Sequence, residues 1–278
     1  MAEARRIAMI SGPRNISTAL MRSQGSRPDT VVCDEPLYAY FLAQTSGHAE
    51  GRHPGIEEVL AYHETDLPIV LQHLTQEPLP LAAMIFYPKG TRQAAREKIP
   101  PGANIFYQKH MAHHFIPGVE RGWLLDRVTT CFLIRNPREV VGSLLRTQPK
   151  LRDSLAVGVA DTGLPEQVEL FDYVRQGTGQ VPPVLDAGDV LANPEGVLGA
   201  FCDRIKVPYI PAMLSWESGL AYYDGIWAKY WYNSVMNSTG FGTYQDKDEK
   251  LPPELEPVVI EANELYQVLY SHRITAAV

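Results

Sequence analysis

The sequence has few cysteines and no long apolar segment. Its 278 residues include only three cysteines, which lie far apart, and this argues against a disulfide scaffold. No apolar run approaches the length that crosses a membrane, and the first residues lack the apolar core of a signal peptide. We therefore expect a cytoplasmic protein that does not bind membranes.

An excess of basic residues is also missing. The chain has 25 Lys and Arg against 32 Asp and Glu, a formal net charge of −7, so general attraction to nucleic acid is not expected. An anionic ligand would need a local cluster of arginines and lysines. With 45% hydrophobic residues the chain can form one large packed domain, which we expect to span residues 1–278.

A third absence concerns the loop near the start of the chain. The apolar run 7–10 is followed by Ser-Gly-Pro-Arg-Asn-Ile-Ser-Thr, which predicts a strand, a tight turn at Gly12 and a helix capped by Ser17 or Thr18. Such a helix N-terminus binds phosphate, and Arg14 adds positive charge, although an ordinary capped turn also fits. The second glycine and the lysine of the Walker A motif are absent, which counts against a nucleoside triphosphatase.

Polar groups follow the next two predicted strands. The apolar run 30–33 ends in Asp34 and Glu35, and the run 103–107 precedes Lys109. Open α/β sheets place ligand groups at such strand ends, although Asp-Glu-Pro also fits a helix N-cap.

Three histidines near Lys109 are the candidates for a metal site. The histidines at 110, 113 and 114 would share one face if this stretch were helical. No nearby cysteine or carboxylate completes the ligand set, so we expect no metal.

A further strand, 130–134, ends in Arg135, and Ser143 lies on the helix that follows it from Glu139. Later residues predict a strand at 184–187, followed by a helix at 189–204. This alternation predicts an α/β fold with a mainly parallel central sheet flanked by helices on both faces. Because the ends of parallel strands share one edge, the candidate anion-binding turns should converge there.

These features resemble the sulfotransferase superfamily, whose first loop has the pattern Pro-Lys/Arg-Ser-Gly-Thr-Thr. The residues that match it are Pro13, Arg14, Ser17 and Thr18. Asn15 and Ile16 replace the serine and glycine of the pattern. The stretches PRNISTALMRS and DEPLYAYFL are similar to a sulfotransferase-like branch of the superfamily.

Three later stretches extend the resemblance. Arg135 and Ser143 have the spacing of the residues that bind the 3′-phosphate of the donor in sulfotransferases. Ala187 stands where the late strand–helix pattern of the superfamily has tyrosine. A hydroxyl-rich segment occupies the place where sulfotransferases close a loop over the nucleotide; its residues are Ser238, Thr239 and Gly240.

The resemblance implies a P-loop-like sulfotransferase fold and a donor, 3′-phosphoadenosine 5′-phosphosulfate. A sulfuryl group would pass to a hydroxyl or amine of an unidentified small-molecule acceptor, without a metal ion. The first loop would hold the phosphosulfate through Gly12, Pro13, Arg14, Asn15, Ser17 and Thr18. Lys109, with Arg14, would neutralise charge on the bridging oxygen as its bond to sulfur breaks.

Two residues compete for the role of general base. Glu35 lies 21 residues after Arg14, about the spacing of the catalytic glutamate in protein-tyrosine sulfotransferases. His110 directly follows Lys109, whereas the cytosolic small-molecule enzymes use Lys-x-His. We favour Glu35 because the earlier position of His110 turns its ring the other way on an extended segment.

Two other functions fit the same features. One is a P-loop phosphotransferase or nucleoside triphosphatase, and the other is a nucleotide-binding protein that kept the fold without turnover. The replacements at Ile16 and Ala187 are the features that favour the latter. The sequence does not indicate the acceptor or the oligomeric state.

Overall fold

The computed structural model describes residues 4–45, 53–76, 79, 84–244 and 249–276. Its centre is a sheet of five strands, β1 (Arg5–Ser11), β2 (Thr30–Asp34), β3 (Ile105–Met111), β4 (Thr129–Ile134) and β5 (Val184–Asp186). They stand in the order β2-β3-β1-β4-β5, and all neighbouring pairs are parallel. The predicted α/β fold with a parallel central sheet is confirmed.

The strands are buried because helices cover the sheet on both faces. Every residue of β2 and β3 is buried, as are the last five of β1. This is the pattern of a parallel sheet that is covered on both sides. Strand β1 pairs with β3 along its whole length, from Arg5 opposite Ile105 to Ser11 opposite Met111.

Helices connect the strands and continue after the last one. They lie at Ser17–Gly25, Tyr38–Thr45, Ile56–Tyr62, Leu67–Thr75, Arg92–Lys98, Trp123–Asp126, Pro137–Thr147, Pro149–Ser154, Leu164–Thr178, Ala187–Ala192, Pro194–Arg204, Ala228–Trp231, Asn233–Met236 and Glu256–Tyr270. Short 3-10 turns lie at Ala112–His114, Val159–Thr162, Pro211–Leu214 and Pro253–Leu255. Among the described residues, no helix has the length and apolar character to cross a membrane.

Strand β3 extends further than the sequence indicated. We predicted a strand at 103–107, but it runs to Met111, so Lys109 and His110 belong to the strand and do not follow it. Pairing with β1 as far as Met111 on one edge, and with β2 as far as Lys109 on the other, holds this longer run in the sheet. The histidines at 110, 113 and 114 therefore do not share one face of a helix.

The helix expected at 189–204 is interrupted at Asn193. Its Oδ1 accepts a hydrogen bond from the N–H of Gly196 at 3.0 Å, so Asn193 caps a second helix whose first residue is Pro194. An N-cap asparagine followed by proline starts a new helix instead of continuing the first.

Gly12 lies where the loop after β1 meets the turn before the helix Leu164–Thr178. A Cβ on Gly12 would lie 2.2 Å from the carbonyl oxygen of Thr162, and a Cβ on Gly163 would lie 2.9 Å from the Cα of Gly12. We had interpreted Gly12 as a turn residue, but its φ is not in the left-handed region. Its smallness is needed because two backbone segments approach each other closely.

Replacing Gly12 by alanine should therefore destabilise the protein. We expect Gly12→Ala to lower the free energy of unfolding by about 1–3 kcal/mol, because the added methyl group meets a fixed backbone oxygen. The control is Gly199→Ala, on the helix Pro194–Arg204, where a Cβ meets no atom within 4 Å. This control should stabilise the helix by up to about 1 kcal/mol. Equal urea midpoints for wild type and Gly12→Ala would contradict the close approach.

Candidate active site

The loop between β1 and the helix Ser17–Gly25 has a strained backbone. Arg14 and Ile16 have φ angles of 63° and 58°, in the left-handed region that residues other than glycine seldom adopt. For a β-branched residue such as Ile16 this costs on the order of 1–3 kcal/mol. Ile16, which stands where the pattern has glycine, thus adopts a left-handed conformation that glycine reaches without strain.

The helix after this loop begins without a side-chain cap. We expected Ser17 or Thr18 to cap it, but Ile16 occupies the N-cap position and no side chain bonds to the first turn. The first N–H groups of a helix have no partner inside it, and no described residue accepts a backbone hydrogen bond from Ser17 or Thr18. Free donors at the positive end of a helix form an anion-binding site.

Arg14 supplies the positive charge of this loop. Its Nε donates to Ser143 Oγ at 3.0 Å, and it forms no ion pair with a carboxylate of the described residues, unlike Arg135 and Arg146. Burial lowers the pKa of Arg14, and the charges of Arg135 and Arg146 lower it further. Arg146 itself is paired with Glu249. A guanidinium with two like-charged neighbours and no carboxylate favours a bound anion.

Arg135 lies beside Arg14 and is paired within the protein. Its Nε and Nη2 donate to Glu139 Oε2 at 3.0 and 2.6 Å, and its Nη1 donates to the carbonyl oxygen of Arg14 at 2.8 Å. Tyr244 donates to the other oxygen of Glu139 at 3.1 Å. These bonds use three of the five N–H groups of Arg135 and leave two for another acceptor. The structure brings Arg135 and Ser143 to the first loop, whereas the Glu139 partner was not predicted.

A second polar cluster lies at the ends of β2 and β3. Lys109 Nζ donates to Asp34 Oδ1 at 2.9 Å, to Glu35 Oε1 at 2.5 Å and to Tyr232 OH at 2.6 Å. The side chains of Lys109 and Asp34 are each 1% exposed, whereas that of Glu35 is 12% exposed. Glu35 is therefore the member of this cluster that reaches an accessible surface.

Tyr232 is a member of this cluster that we had not predicted. Its OH lies 2.7 Å from both carboxylate oxygens of Asp34 and accepts a hydrogen bond from Trp227 Nε1 at 3.1 Å. The stretch 222–244 is rich in aromatic residues, and rings of this kind usually serve in packing. Nothing local distinguishes Tyr232 from these rings, because Asp34 is 198 residues away in the chain.

Burial and charge together set the proton affinity of Glu35. Burial raises the pKa of Glu35, Lys109 opposes the rise, and Asp34 adds to it. For Lys109, burial lowers the pKa, but Asp34 and Glu35 outweigh burial and the pKa is raised. Lys109 therefore keeps its charge, and Glu35 is a stronger base than an exposed glutamate.

His110 lies on the opposite face of β3 from Lys109, because successive side chains of a strand alternate. Its Nε2 is 3.2 Å from Gln108 Oε1, and its ring packs against Phe115 and Trp123. Burial, with the charge of Lys109, lowers the pKa of His110 to about 3. Of the two candidate bases, only Glu35 belongs to the polar cluster.

The C-terminal segment predicted to close over a nucleotide contacts another part of the chain. Trp216 donates through Nε1 to Ser238 Oγ at 3.2 Å and through its backbone N–H to the carbonyl oxygen of Thr239 at 3.0 Å. Gly240 forms a β-bridge with Ser215. None of these contacts joins the segment to the first loop.

Two further positions bear on the expected ligands. Ala187 is completely buried, so its side chain offers no surface to a nucleotide. In the part of the chain that the structure describes, no group of three or more histidine, cysteine, aspartate or glutamate side chains could hold a metal ion.

The two clusters share the C-terminal edge of the sheet. The first loop follows β1, Glu35 follows β2, and β3 lies between them. Neighbouring strands are about 4.8 Å apart, so two strand spacings, about 10 Å, separate the loop from Glu35. This leaves room for a small reacting group between an anion site and a base.

Comparison with known proteins gives one family match and two curated relatives. The family model described as "Sulfotransferase domain" matches residues 5–82 and 90–254. Branched-chain-amino-acid aminotransferase-like protein 1 of Arabidopsis thaliana is 31% identical over 272 residues, 98% of this chain. The aminotransferase-like protein 2 of that plant is 29% identical over 262 residues, 94% of this chain. The chain spans only 43% and 41% of the lengths of these relatives.

Two solved structures are similar in fold. The sulfotransferase domain of the Synechococcus PCC 7002 olefin synthase superposes with a TM-score of 0.55 at 17% identity, and 96% of each chain is covered. The sulfotransferase domain from the curacin biosynthetic pathway has a TM-score of 0.50 at 14% identity, covering 96% of this chain and 98% of that one. At such identities the likeness shows the fold alone.

Proposed function

This chain belongs to the sulfotransferase-domain family, and from that premise we propose that it is an enzyme that uses 3′-phosphoadenosine 5′-phosphosulfate. It transfers the sulfuryl group to a hydroxyl or amine of a small-molecule acceptor. The observation that carries this proposal is Arg14, a guanidinium without a carboxylate partner among the described residues. It lies in a strained loop before a helix whose first N–H groups have no partner there.

The phosphosulfate is held by the first loop. The N–H groups and hydroxyls of Ser17 and Thr18 bind the phosphate oxygens, and Arg14 neutralises the bridging oxygen as its bond to sulfur breaks. The 3′-phosphate contacts Ser143 and the two unused N–H groups of Arg135. Glu139 keeps Arg135 in place, because their ion pair uses other N–H groups of the same guanidinium.

Glu35 is the general base of the transfer. The acceptor oxygen or nitrogen forms a bond to sulfur, the bond from sulfur to the bridging oxygen breaks, and the acceptor proton passes to Glu35. The nucleotide product is 3′-phosphoadenosine 5′-phosphate. Glu35 Oε1 is engaged by Lys109, and no described residue donates a hydrogen bond to Oε2. That oxygen is available to the acceptor.

A small cavity lies beside Glu35. Its volume of about 10 Å³ has room for about one water molecule and not for an organic acceptor, so an acceptor must approach Glu35 from outside this cavity or widen it. The residues that line this cavity are Asp34, Glu35, Pro36, Ala39, His63, Glu64, Phe86 and Trp227.

The donor is tested by thermal stability. At a hundredfold excess over its Kd, 3′-phosphoadenosine 5′-phosphate should stabilise the protein by about 2.7 kcal/mol and raise Tm by several degrees. ADP, which lacks the 3′-phosphate, and ATP should raise Tm less at the same concentration, with or without magnesium. Arg14→Gln should weaken binding of the 3′,5′-nucleotide by roughly 1.5–3 kcal/mol, because a charge-assisted phosphate contact is lost.

The control for this test is Arg152→Gln. Arg152 is 60% exposed and paired with Asp153, so its replacement should leave the nucleotide affinity unchanged. Equal Tm shifts for ADP and for 3′-phosphoadenosine 5′-phosphate would contradict the proposal that 3′-phosphoadenosine 5′-phosphosulfate is the donor. A wild-type affinity in Arg14→Gln would remove Arg14 from the site.

The role of Glu35 as the base is tested by turnover, measured as the release of sulfate from 3′-phosphoadenosine 5′-phosphosulfate without added acceptor. Glu35→Gln keeps the size of the side chain but removes its proton-accepting charge, so turnover should fall roughly 10²–10⁴-fold. The Tm shift caused by 3′-phosphoadenosine 5′-phosphate should stay near that of wild type, because Glu35 faces the acceptor. His110→Asn should have the smaller effect on turnover, since His110 lies outside the cluster. If His110→Asn lost more activity than Glu35→Gln, the assignment of the base would be reversed.

A further inference from the structure

We propose that Lys109, Asp34 and Tyr232 form a buried clamp that fixes one oxygen of Glu35 and leaves the other for the acceptor. In this arrangement Tyr232 is a positioning residue, and Lys109 serves as a fixed counterion of the base and not as a contact to the donor. The role assigned to the clamp rests on the proposed function, whereas its geometry does not.

The first step concerns the protons of Lys109. An ammonium group has three N–H donors, and those of Lys109 point to Asp34, Glu35 and Tyr232 at 2.9, 2.5 and 2.6 Å. No donor remains for the bridging oxygen of a substrate. Lys109 is also 1% exposed, so a ligand would reach it only if the clamp were taken apart.

The second step concerns the hydroxyl of Tyr232. Its oxygen accepts hydrogen bonds from Lys109 Nζ and Trp227 Nε1, which uses both lone pairs. Its single proton must then go to a carboxylate, and Asp34 is nearer, at 2.7 Å, than Glu35, at 3.3 Å. Tyr232 is thus fully bonded, and it holds Asp34 and Lys109 in place together.

The third step concerns Glu35 itself, which Lys109 holds at two points. The N–H of Glu35 donates to the carbonyl oxygen of Lys109 at 2.9 Å, while the Nζ of Lys109 holds Oε1. The φ of Glu35 is 44°, a conformation that persists only when the surroundings enforce it. This double contact fixes the direction in which Oε2 points.

The fourth step concerns charge. Two carboxylates and one ammonium carry a net charge of −1 in a buried setting, and proton capture by Glu35 makes the cluster neutral. Neutral clusters are favoured where water is excluded. Burial and the charge of Asp34 therefore strengthen Glu35 as a base, while Lys109 and Tyr232 oppose this effect. The titratable groups that face Glu35 directly or across its cavity are Asp34, Lys109, Tyr232, Tyr38, His63 and Glu64.

The test uses Tyr232→Phe and two readouts. The first is release of sulfate from 3′-phosphoadenosine 5′-phosphosulfate without added acceptor, where water takes the acceptor's place and gives its proton to Glu35. We expect this rate to fall roughly 10- to 100-fold, the effect of misplacing a reacting group. The second is the titration of the Glu35 carboxylate by ¹³C NMR, assigned by its loss in Glu35→Gln. Its midpoint should move upward, because the negative charge of Asp34, which raises the pKa of Glu35, loses the phenol proton that offsets it.

A second variant acts in the opposite direction. Asp34→Asn removes a negative charge that raises the pKa of Glu35, so its titration midpoint should move downward. The matched control is Tyr87→Phe, which also removes a buried hydroxyl that bonds to β2, through the carbonyl oxygen of Val32 at 3.1 Å. In this control, both the rate of sulfate release and the Glu35 titration midpoint should equal those of the wild-type protein.

The outcomes separate the clamp from the proposed function. The clamp alone would be overturned if Tyr232→Phe released sulfate at the wild-type rate and had an unmoved Glu35 midpoint. It would also be overturned if Tyr87→Phe changed the rate and the midpoint as much as Tyr232→Phe does. A different result is that the wild-type protein releases no sulfate while the Glu35 midpoint still moves upward in Tyr232→Phe and downward in Asp34→Asn. That result would overturn the proposed function and leave the clamp standing.

Discussion

The buried ammonium group of Lys109 is the constraint on which much of this structure depends. A charge without solvent is costly unless it is paired and fully hydrogen-bonded, and each donor of Lys109 has a partner. These partners come from the end of β2 and from the C-terminal segment that carries Tyr232. The position of Lys109 in β3 therefore helps to fix where the segment that carries Tyr232 meets the sheet. Because Glu35 is one of the partners, the same requirement also orients the candidate base.

The loop that carries Arg14 depends on a different balance. Two residues with positive φ, Arg14 and Ile16, are held in place by contacts on both sides. The side chain of Asn15 donates to the carbonyl oxygen of Leu133 at 3.1 Å, and Arg135 bonds to the carbonyl oxygen of Arg14. Strain of this kind persists where the surroundings enforce it and is concentrated at ligand-binding sites. The side chain of Ile16 therefore does not prevent the glycine-like conformation.

The sequence predicted most of the sheet and part of the site. Strand ends meet at one edge of a parallel sheet, so the approach of Arg14, Ser143 and Arg135 followed from their places after predicted strands. The same rule placed Lys109 near Glu35. It did not predict that β3 continues to Met111, because that depends on pairing with strands far away in the chain.

Most features of the site that the sequence did not predict depend on contacts between residues far apart in the chain. The ion pair of Glu139 with Arg135 is a local i,i+4 contact that the sequence spacing already allowed. The bond from Tyr244 to Glu139, in contrast, depends on how distant segments come together. The hydroxyl of Tyr232 could not be singled out in an aromatic segment until the fold brought it to Asp34. The expected helix cap at Ser17 or Thr18 was wrong because the turn closes through the backbone of Ile16.

The most direct test of the account is a crystal structure with 3′-phosphoadenosine 5′-phosphate bound. The account predicts the 5′-phosphate at the N-terminus of the helix Ser17–Gly25, in contact with Arg14, and the 3′-phosphate on Ser143 and Arg135. Glu35 Oε2 should face the space next to the 5′-phosphate where the sulfuryl group would lie. A nucleotide bound away from this loop, or a 5′-phosphate that contacts Lys109 after the clamp has opened, would contradict it.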